Sequence, residues 1–232
     1  MYLFRQTIGQ ASIVCQSVLV IMLRVDTKNP LLRLLVVVYG WIFGLLFYCI
    51  CLVWRSTVRL EGKEGRDLLL KERYVLVLWH EDLILFFLAF SNLPNQIWMN
   101  HPAWFMKPIH VTLYLMGVRN LALGSSGNSG QLALEKVVQG LHQGLSTVVA
   151  VDGPAGPPKV MKPGAMRMSL LSGVPLRTLR FECSRFFRVG GWDRKRVPYP
   201  FSQVDIRIGN SEFIKEESEI TKERMESVLT PN

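Results

Sequence analysis

Val148–Val160 reads VVAVDGPAGPPKV, and MKPGAM follows at residues 161–166. The apolar run stops at an acid, Asp152. Two glycines and three prolines come next, then Lys159, Lys162 and Arg167. Thr147–Val151 predicts a buried strand, so the carboxylate falls where that strand ends, in a loop stiffened by proline and edged with positive charge. In open α/β sheets functional groups collect in loops at the carboxyl ends of strands. Asp152 is therefore a candidate site residue, and the surrounding chain is expected to supply the rest of such a sheet.

Outward from this loop, short apolar runs alternate with helical segments. Strands are predicted at Tyr74–Trp79, Gln96–Asn100, Val118–Leu123, Pro175–Glu182 and Val204–Ile208. Helices are predicted over Leu83–Phe90, Gly130–Gln143 and Gly164–Leu171. Another is expected from Pro102 toward Met116, kinked or split at Pro108, because proline lacks a backbone donor. The final stretch, Ser211–Leu229, reads as a polar helix with a weak apolar stripe of Ile214, Ile220, Met225 and Val228. The fold class expected is α/β, a mixed sheet flanked by helices. Two further strand ends carry polar residues: LWHED, with His80, and LALGSSGNSG, with Gly124.

The N-terminal quarter has a different character. Leu34–Trp54, LLVVVYGWIFGLLFYCICLVW, runs for 21 residues without a charge. As a helix it would be ~31 Å long, about one bilayer core. Arg33 and Arg55 bracket it, and Tyr39 and Trp54 suit an interface. The shorter apolar stretch Ala11–Leu23 would be an interfacial helix or the first arm of a hairpin. The expected organisation is a membrane-anchor region over residues 1–58, with a transmembrane helix at about 34–54, and an α/β domain over 59–232.

Composition agrees with a membrane setting. Hydrophobic residues make up 49% of the 232 and charged ones only 19%, while the net charge of +9 suits anionic lipid head groups or an anionic substrate. Nucleic acid is not the expected partner, since the aromatics fall in the anchor and in core-like runs rather than among basic residues. Four cysteines give no disulfide framework and no metal-ligand spacing.

Several motifs are excluded by single positions. GSSGNSG has Asn128 where a nucleophile elbow needs glycine, and no Gly-Lys-Ser/Thr follows Gly124 as a phosphate-binding loop requires. Ile84 stands where a His-Glu-x-x-His zinc motif needs its second histidine, so no metal site is expected.

The blocks that remain are Trp79-His80, LGSS at Leu123–Ser126, VDGPAGP at Val151–Pro157, KPG at Lys162–Gly164, SGVP at Ser172–Pro175 and WDRKRVPYPFS at Trp192–Ser202. Their order resembles the bacterial-type, lysophospholipid acyltransferase-like branch of the glycerolipid acyltransferase superfamily, over roughly Tyr74 to Asn210. There are departures. Leu123 and Ala155 stand where that family has arginines suited to bidentate phosphate binding. Leu85 stands where its His-x-x-x-x-Asp spacing has the acid, and the nearest carboxylates are Glu81 and Asp82.

The resemblance implies acyl transfer from a thioester to a lipid hydroxyl, with acyl-CoA or acyl-carrier protein as co-substrate and no cofactor. His80 would be the general base. Asp82 is the candidate to orient it, because residues two apart in an extended chain share a face. Backbone N–H groups around Gly124, Ser125 and Ser126 would hold the thioester oxyanion or phosphate. Asp152, Gly153 and Pro154 would form the acceptor wall, with Asp152 fixing loop backbone or binding a head-group atom. Lys162, with Lys159 and Arg167, would supply the positive charge that Leu123 and Ala155 do not. The acceptor is expected to be a lysophospholipid or related lipid with a bulkier or less charged head than a phosphate monoester, or a sugar-lipid hydroxyl. The expected location is the membrane, through a single-pass or hairpin anchor, with the catalytic domain in the cytoplasm. The alternative is a non-catalytic lipid-binding member of the same fold acting in a membrane assembly.

Overall fold

The computed structural model describes residues 29–62, 69, 71–124 and 129–229. Pro30–Thr57 (α1) leads into Arg59–Glu61 (β1), Val75–Leu78 (β2), a 3-10 turn at His80–Asp82 and Leu83–Ala89 (α2). Then come Ile97–Asn100 (β3), Lys107–Leu115 (α3), Asn120–Leu123 (β4), Gly130–His142 (α4), Thr147–Ala150 (β5) and Gly164–Ser172 (α5). The chain closes with Leu176–Cys183 (β6), Phe186–Val189 (β7), Lys195–Pro198 (β8), Gln203–Ile208 (β9) and Lys222–Val228 (α6).

β2 is buried at every position, which is why its sequence shows an unbroken apolar run rather than alternation. Leu76 and Leu78 face one core, with α2 and α3, and Val75 and Val77 face the other, with α4 and α5. The main sheet has the order β1-β9-β6-β2-β5, and β3-β4 form a parallel pair. A parallel bridge between Gln96 and Ser146 joins that pair to the β5 side. β2 runs parallel to β5 and β6, whereas β9 is antiparallel to β6, so the sheet is mixed. The carboxyl ends of β2, β5, β3 and β4 therefore open on one edge. The fold class is α/β with helices on both faces.

α1 extends the expected apolar segment by four residues at its start and three at its end. Asn29 caps it, its side chain accepting from the Leu31 and Leu32 N–H groups. It is long and apolar enough to cross a membrane. One face, however, lies against the domain. A Cβ at Gly40 would fall 2.8 Å from Lys107 Cβ, and one at Gly44 would fall 2.6 Å from Pro108 O and Val111 Cβ. The Gly-x-x-x-Gly spacing thus lets α1 and α3 approach backbone to backbone. Further along, Trp54 donates to Pro198 O at 3.0 Å, and Arg55 donates to Leu88 O and Ala89 O at the end of α2. The opposite face, including Leu34, Leu35, Ile42, Leu46 and Val53, is exposed. The apolar stretch Ala11–Leu23 lies outside the described residues.

Two expectations change, and one hairpin was not expected. The helix expected from Pro102 begins at Lys107, with a 3-10 turn at Trp104–Met106 before it; Pro108 sits in the first turn, where its missing donor is harmless. Ser211–Leu229 is not one helix. Glu212 exchanges both backbone hydrogen bonds with Leu176, at 2.8 and 2.9 Å, so extended pairing holds this part and only Lys222–Val228 winds as α-helix. The hairpin β7–β8 follows β6 directly and packs its second strand against α2 and the His80–Asp82 turn.

Candidate active site

His80 and Asp152 follow the adjacent parallel strands β2 and β5, whose register pairs Leu78 with Ala150. Their side chains meet. His80 Nδ1 lies 2.8 Å from Asp152 Oδ1, and the same oxygen accepts the His80 backbone N–H at 3.0 Å. The other oxygen, Oδ2, accepts the Lys159 N–H at 3.3 Å. Asp152 is 1% exposed. An ionised carboxylate only accepts, so Nδ1 carries the proton in this contact, and in the neutral imidazole Nε2 keeps its lone pair. The imidazole is 17% exposed, enough for a reactant to reach one edge.

Asp82 lies elsewhere. It is buried, and Arg196 of β8 donates to its Oδ1 through Nε at 2.8 Å and also through Nη2. Burial pushes its carboxyl up to about 6 against the pull of that guanidinium. The expectation that Asp82 orients His80 is corrected to Asp152. The reason is local: residues 80–82 wind as a 3-10 turn, in which each residue rotates by ~120°, so residues two apart no longer share a face.

Glu81 ties three segments together. Arg188 donates to its Oε2 at 2.7 Å, Lys159 Nζ lies 3.2 Å from Oε1, and Arg196 Nε lies 3.9 Å from the same oxygen. Burial acts to raise its carboxyl, but these cations outweigh it and hold the group below the usual carboxylate range. The hairpin is thereby fixed over the strand ends. Between its strands, Trp192 brings its ring within 5.2 Å of the His80 ring. It also packs on Gly156, where a Cβ would fall 2.6 Å from the indole Cε3. Trp192, Arg188 and Arg196 were not singled out as site residues from the sequence. The Trp-Asp block marked the segment, but only the fold turns it toward His80.

The Asp-Gly-Pro loop surrounds this pair. Gly153 and Gly156 adopt φ of +70° and +68°, a region that glycine enters without a Cβ clash. Pro154 and Ala155 are exposed, and Lys162 folds its side chain over Gly153. Gly124 is at the same edge, but its N–H donates to Asn100 O at 2.9 Å, so it is not a donor for an oxyanion. Its lack of a side chain instead lets the end of β4 lie against the start of α4, since a Cβ would fall 2.5 Å from Ser129 O and 2.7 Å from Ala133 Cβ. Ser125 and Ser126 lie outside the described residues. Among the described residues no group of three His, Cys, Asp or Glu side chains gathers in a way that would hold a metal.

No protein-family model matches the chain. It is 24% identical over 150 residues, 65% of its own length and 68% of the relative's, to the uncharacterized protein RP090 of Rickettsia prowazekii (strain Madrid E). Among solved structures it is similar to the 1-acyl-sn-glycerophosphate (LPA) acyltransferase PlsC of Thermotoga maritima. That match has 16% identity and a TM-score of 0.48, covering 88% of this chain and 82% of the other.

Proposed function

We propose that the protein is a membrane-seated acyltransferase that moves a fatty acyl group from a thioester to the hydroxyl of a lysophospholipid or related lipid. The observation that carries this reading is the contact between His80 Nδ1 and the buried Asp152 carboxylate, which leaves Nε2 as a base at the open edge of the sheet. A lipid-binding protein without catalysis has no need of an imidazole whose tautomer is held by a buried acid.

In the proposed reaction His80 Nε2 takes the proton of the acceptor hydroxyl as its oxygen attacks the thioester carbonyl. Asp152 stabilises the imidazolium that forms. The tetrahedral intermediate collapses by expelling the thiolate, and the proton on Nε2 passes to that sulfur. Ester and thiol leave, and the enzyme returns to its starting state. Acyl-CoA or acyl-carrier protein would be the donor. The exposed apolar face of α1 would rest in the bilayer, holding the active edge near lipid acceptors and the domain on the cytoplasmic side; release of the full chain from membranes by alkaline carbonate would overturn that seat.

The test is acyl transfer by the full chain in membranes or detergent, with His80→Ala as the comparison. General-base catalysis is worth ~10²–10⁴-fold, and a loss in that range with the fold retained is the expected result. Unchanged transfer by His80→Ala would refute the mechanism.

A further inference from the structure

Trp192 is a large aromatic side chain that joins neither hydrophobic core. It stands at the tip of the hairpin, between Val189, where β7 ends, and Lys195, where β8 begins. Its neighbours Gly191 and Arg194 are exposed, whereas the indole is half-buried and turned onto two groups. Its ring lies 5.2 Å from the His80 ring at an angle of 57°. Its benzo edge rests on Gly156, where a Cβ would fall 2.6 Å from Cε3 and 2.9 Å from Cζ3. The two acids that follow His80 hold the hairpin in place, Glu81 through Arg188 of β7 and Asp82 through Arg196 of β8. The same ion pairs therefore keep the indole beside the imidazole.

His80 Nε2 makes no hydrogen bond among the described residues, and it is not sealed from solvent. A base in that position takes a proton from water as readily as from a lipid hydroxyl. In that side reaction the water oxygen attacks the thioester carbonyl and the C–S bond breaks. The proton on Nε2 then passes to the thiolate, so fatty acid and thiol leave. The His80–Asp152 pair does not tell the two nucleophiles apart, because each presents an O–H. Discrimination has to come from the surface against which the acceptor lies. Water gains nothing at an apolar wall, while the hydrocarbon of a lipid alcohol does.

Resting on the acyl-transfer reading, we propose that Trp192 is that wall, a positioning residue that makes the site a transferase rather than a thioesterase. Its ring keeps water from the open side of the imidazole and receives the apolar body of the acceptor. The acceptor class it selects is a hydroxyl carried on an amphipathic molecule, with water as the competitor it rejects.

The full chain is assayed in detergent with palmitoyl-CoA, with and without lysophosphatidylglycerol, and fatty acid and diacyl product are counted separately by mass spectrometry. Parent, Trp192→Ala and Trp192→Phe are compared. Removal of an apolar wall of this size corresponds to ~10-fold or more in discrimination. Trp192→Ala is expected to raise the ratio of hydrolysis to transfer by at least that factor, and Trp192→Phe to keep it near the parent value. Equal loss of both products in Trp192→Ala would overturn the assignment. So would a Trp192→Phe ratio that matches Trp192→Ala, because the indole N–H rather than the ring would then be at work. A second readout needs no turnover. Carbethoxylation by diethyl pyrocarbonate is followed at His80, with exposed His142 as the reference and fully buried His110 as the reporter of a retained fold. His80 should react faster in Trp192→Ala than in the parent or Trp192→Phe while His110 stays protected, and equal rates in all three would overturn the wall. Faster modification of His80 in Trp192→Ala, with neither hydrolysis nor transfer in any chain, would support the wall and strike at the acyl-transfer reading alone.

Discussion

Asp152→Asn separates charge from shape beside the His80 ring. The amide has nearly the volume of the carboxylate and keeps one acceptor oxygen, but its NH2 must take one of two places. Facing His80 Nδ1, it fixes the tautomer with the proton on Nε2 and removes the base. Facing the Lys159 N–H, which lies 3.3 Å from Oδ2, it sets two donors against each other. In both cases the imidazolium loses an anion that lay 2.8 Å from its Nδ1. Two unit charges 4 Å apart interact by about 4 kcal/mol at an effective dielectric constant of 20, which corresponds to about 10³-fold in rate. The assay is thiol release from acyl-CoA with a lysolipid acceptor, scaled to the folded fraction from circular dichroism. Asp82→Asn is the comparison. It leaves Arg196 without its buried partner, a change that costs about 3–5 kcal/mol of stability, but it does not touch His80, so turnover per folded molecule should stay close to the parent. The opposite ranking, with Asp82→Asn abolishing turnover and Asp152→Asn sparing it, would refute the reasoning.

Two further expectations concern the fold. Gly44→Val should lower stability by about 1–3 kcal/mol, the usual effect of overpacking, because its Cβ would fall 2.6 Å from Pro108 O; Leu34→Ala, on the exposed face of α1, should not. Thermal unfolding in detergent compares the two. His110 is fully buried, and burial, with the Lys107 charge beside it, lowers its imidazole from 6.5 to about 4. Between those values the unfolded chain binds a proton that the folded one does not, so stability should fall as pH drops from about 6.5 to about 4. A shift of that size corresponds to about 3 kcal/mol, and His110→Phe should flatten this part of the stability profile in denaturant titrations.

Much of the architecture was legible in the sequence because its physical signals are local. The run Tyr74–Trp79 has no polar face because β2 is covered on both sides, and Gly130–Gln143 shows one apolar stripe because α4 packs by one face. The loop at Asp152 announces itself by composition, and the uncharged run Leu34–Trp54 marks α1. These patterns depend on helix and strand periods alone. The Gly40–Gly44 spacing was equally visible, but its role needs the partner helix.

The site was legible only in parts. His80 and Asp152 each stand at a strand end, yet nothing in one dimension says that β2 and β5 are neighbours across 72 residues. Sequence proximity favoured Asp82, and the 3-10 turn at His80–Asp82 turned that side chain toward Arg196 instead. The pairing of Glu212 was hidden for the same reason, since its backbone hydrogen bonds go to Leu176 rather than to its own neighbours. Which of Lys159, Lys162 and Arg167 pairs with a carboxylate was also undecided until Glu81 came into contact with the first and Glu217 with the last. Local periodicity sets which residues are buried and which end a strand. Strand order and the packing of the hairpin set which charges meet, because those contacts join segments that are distant along the chain.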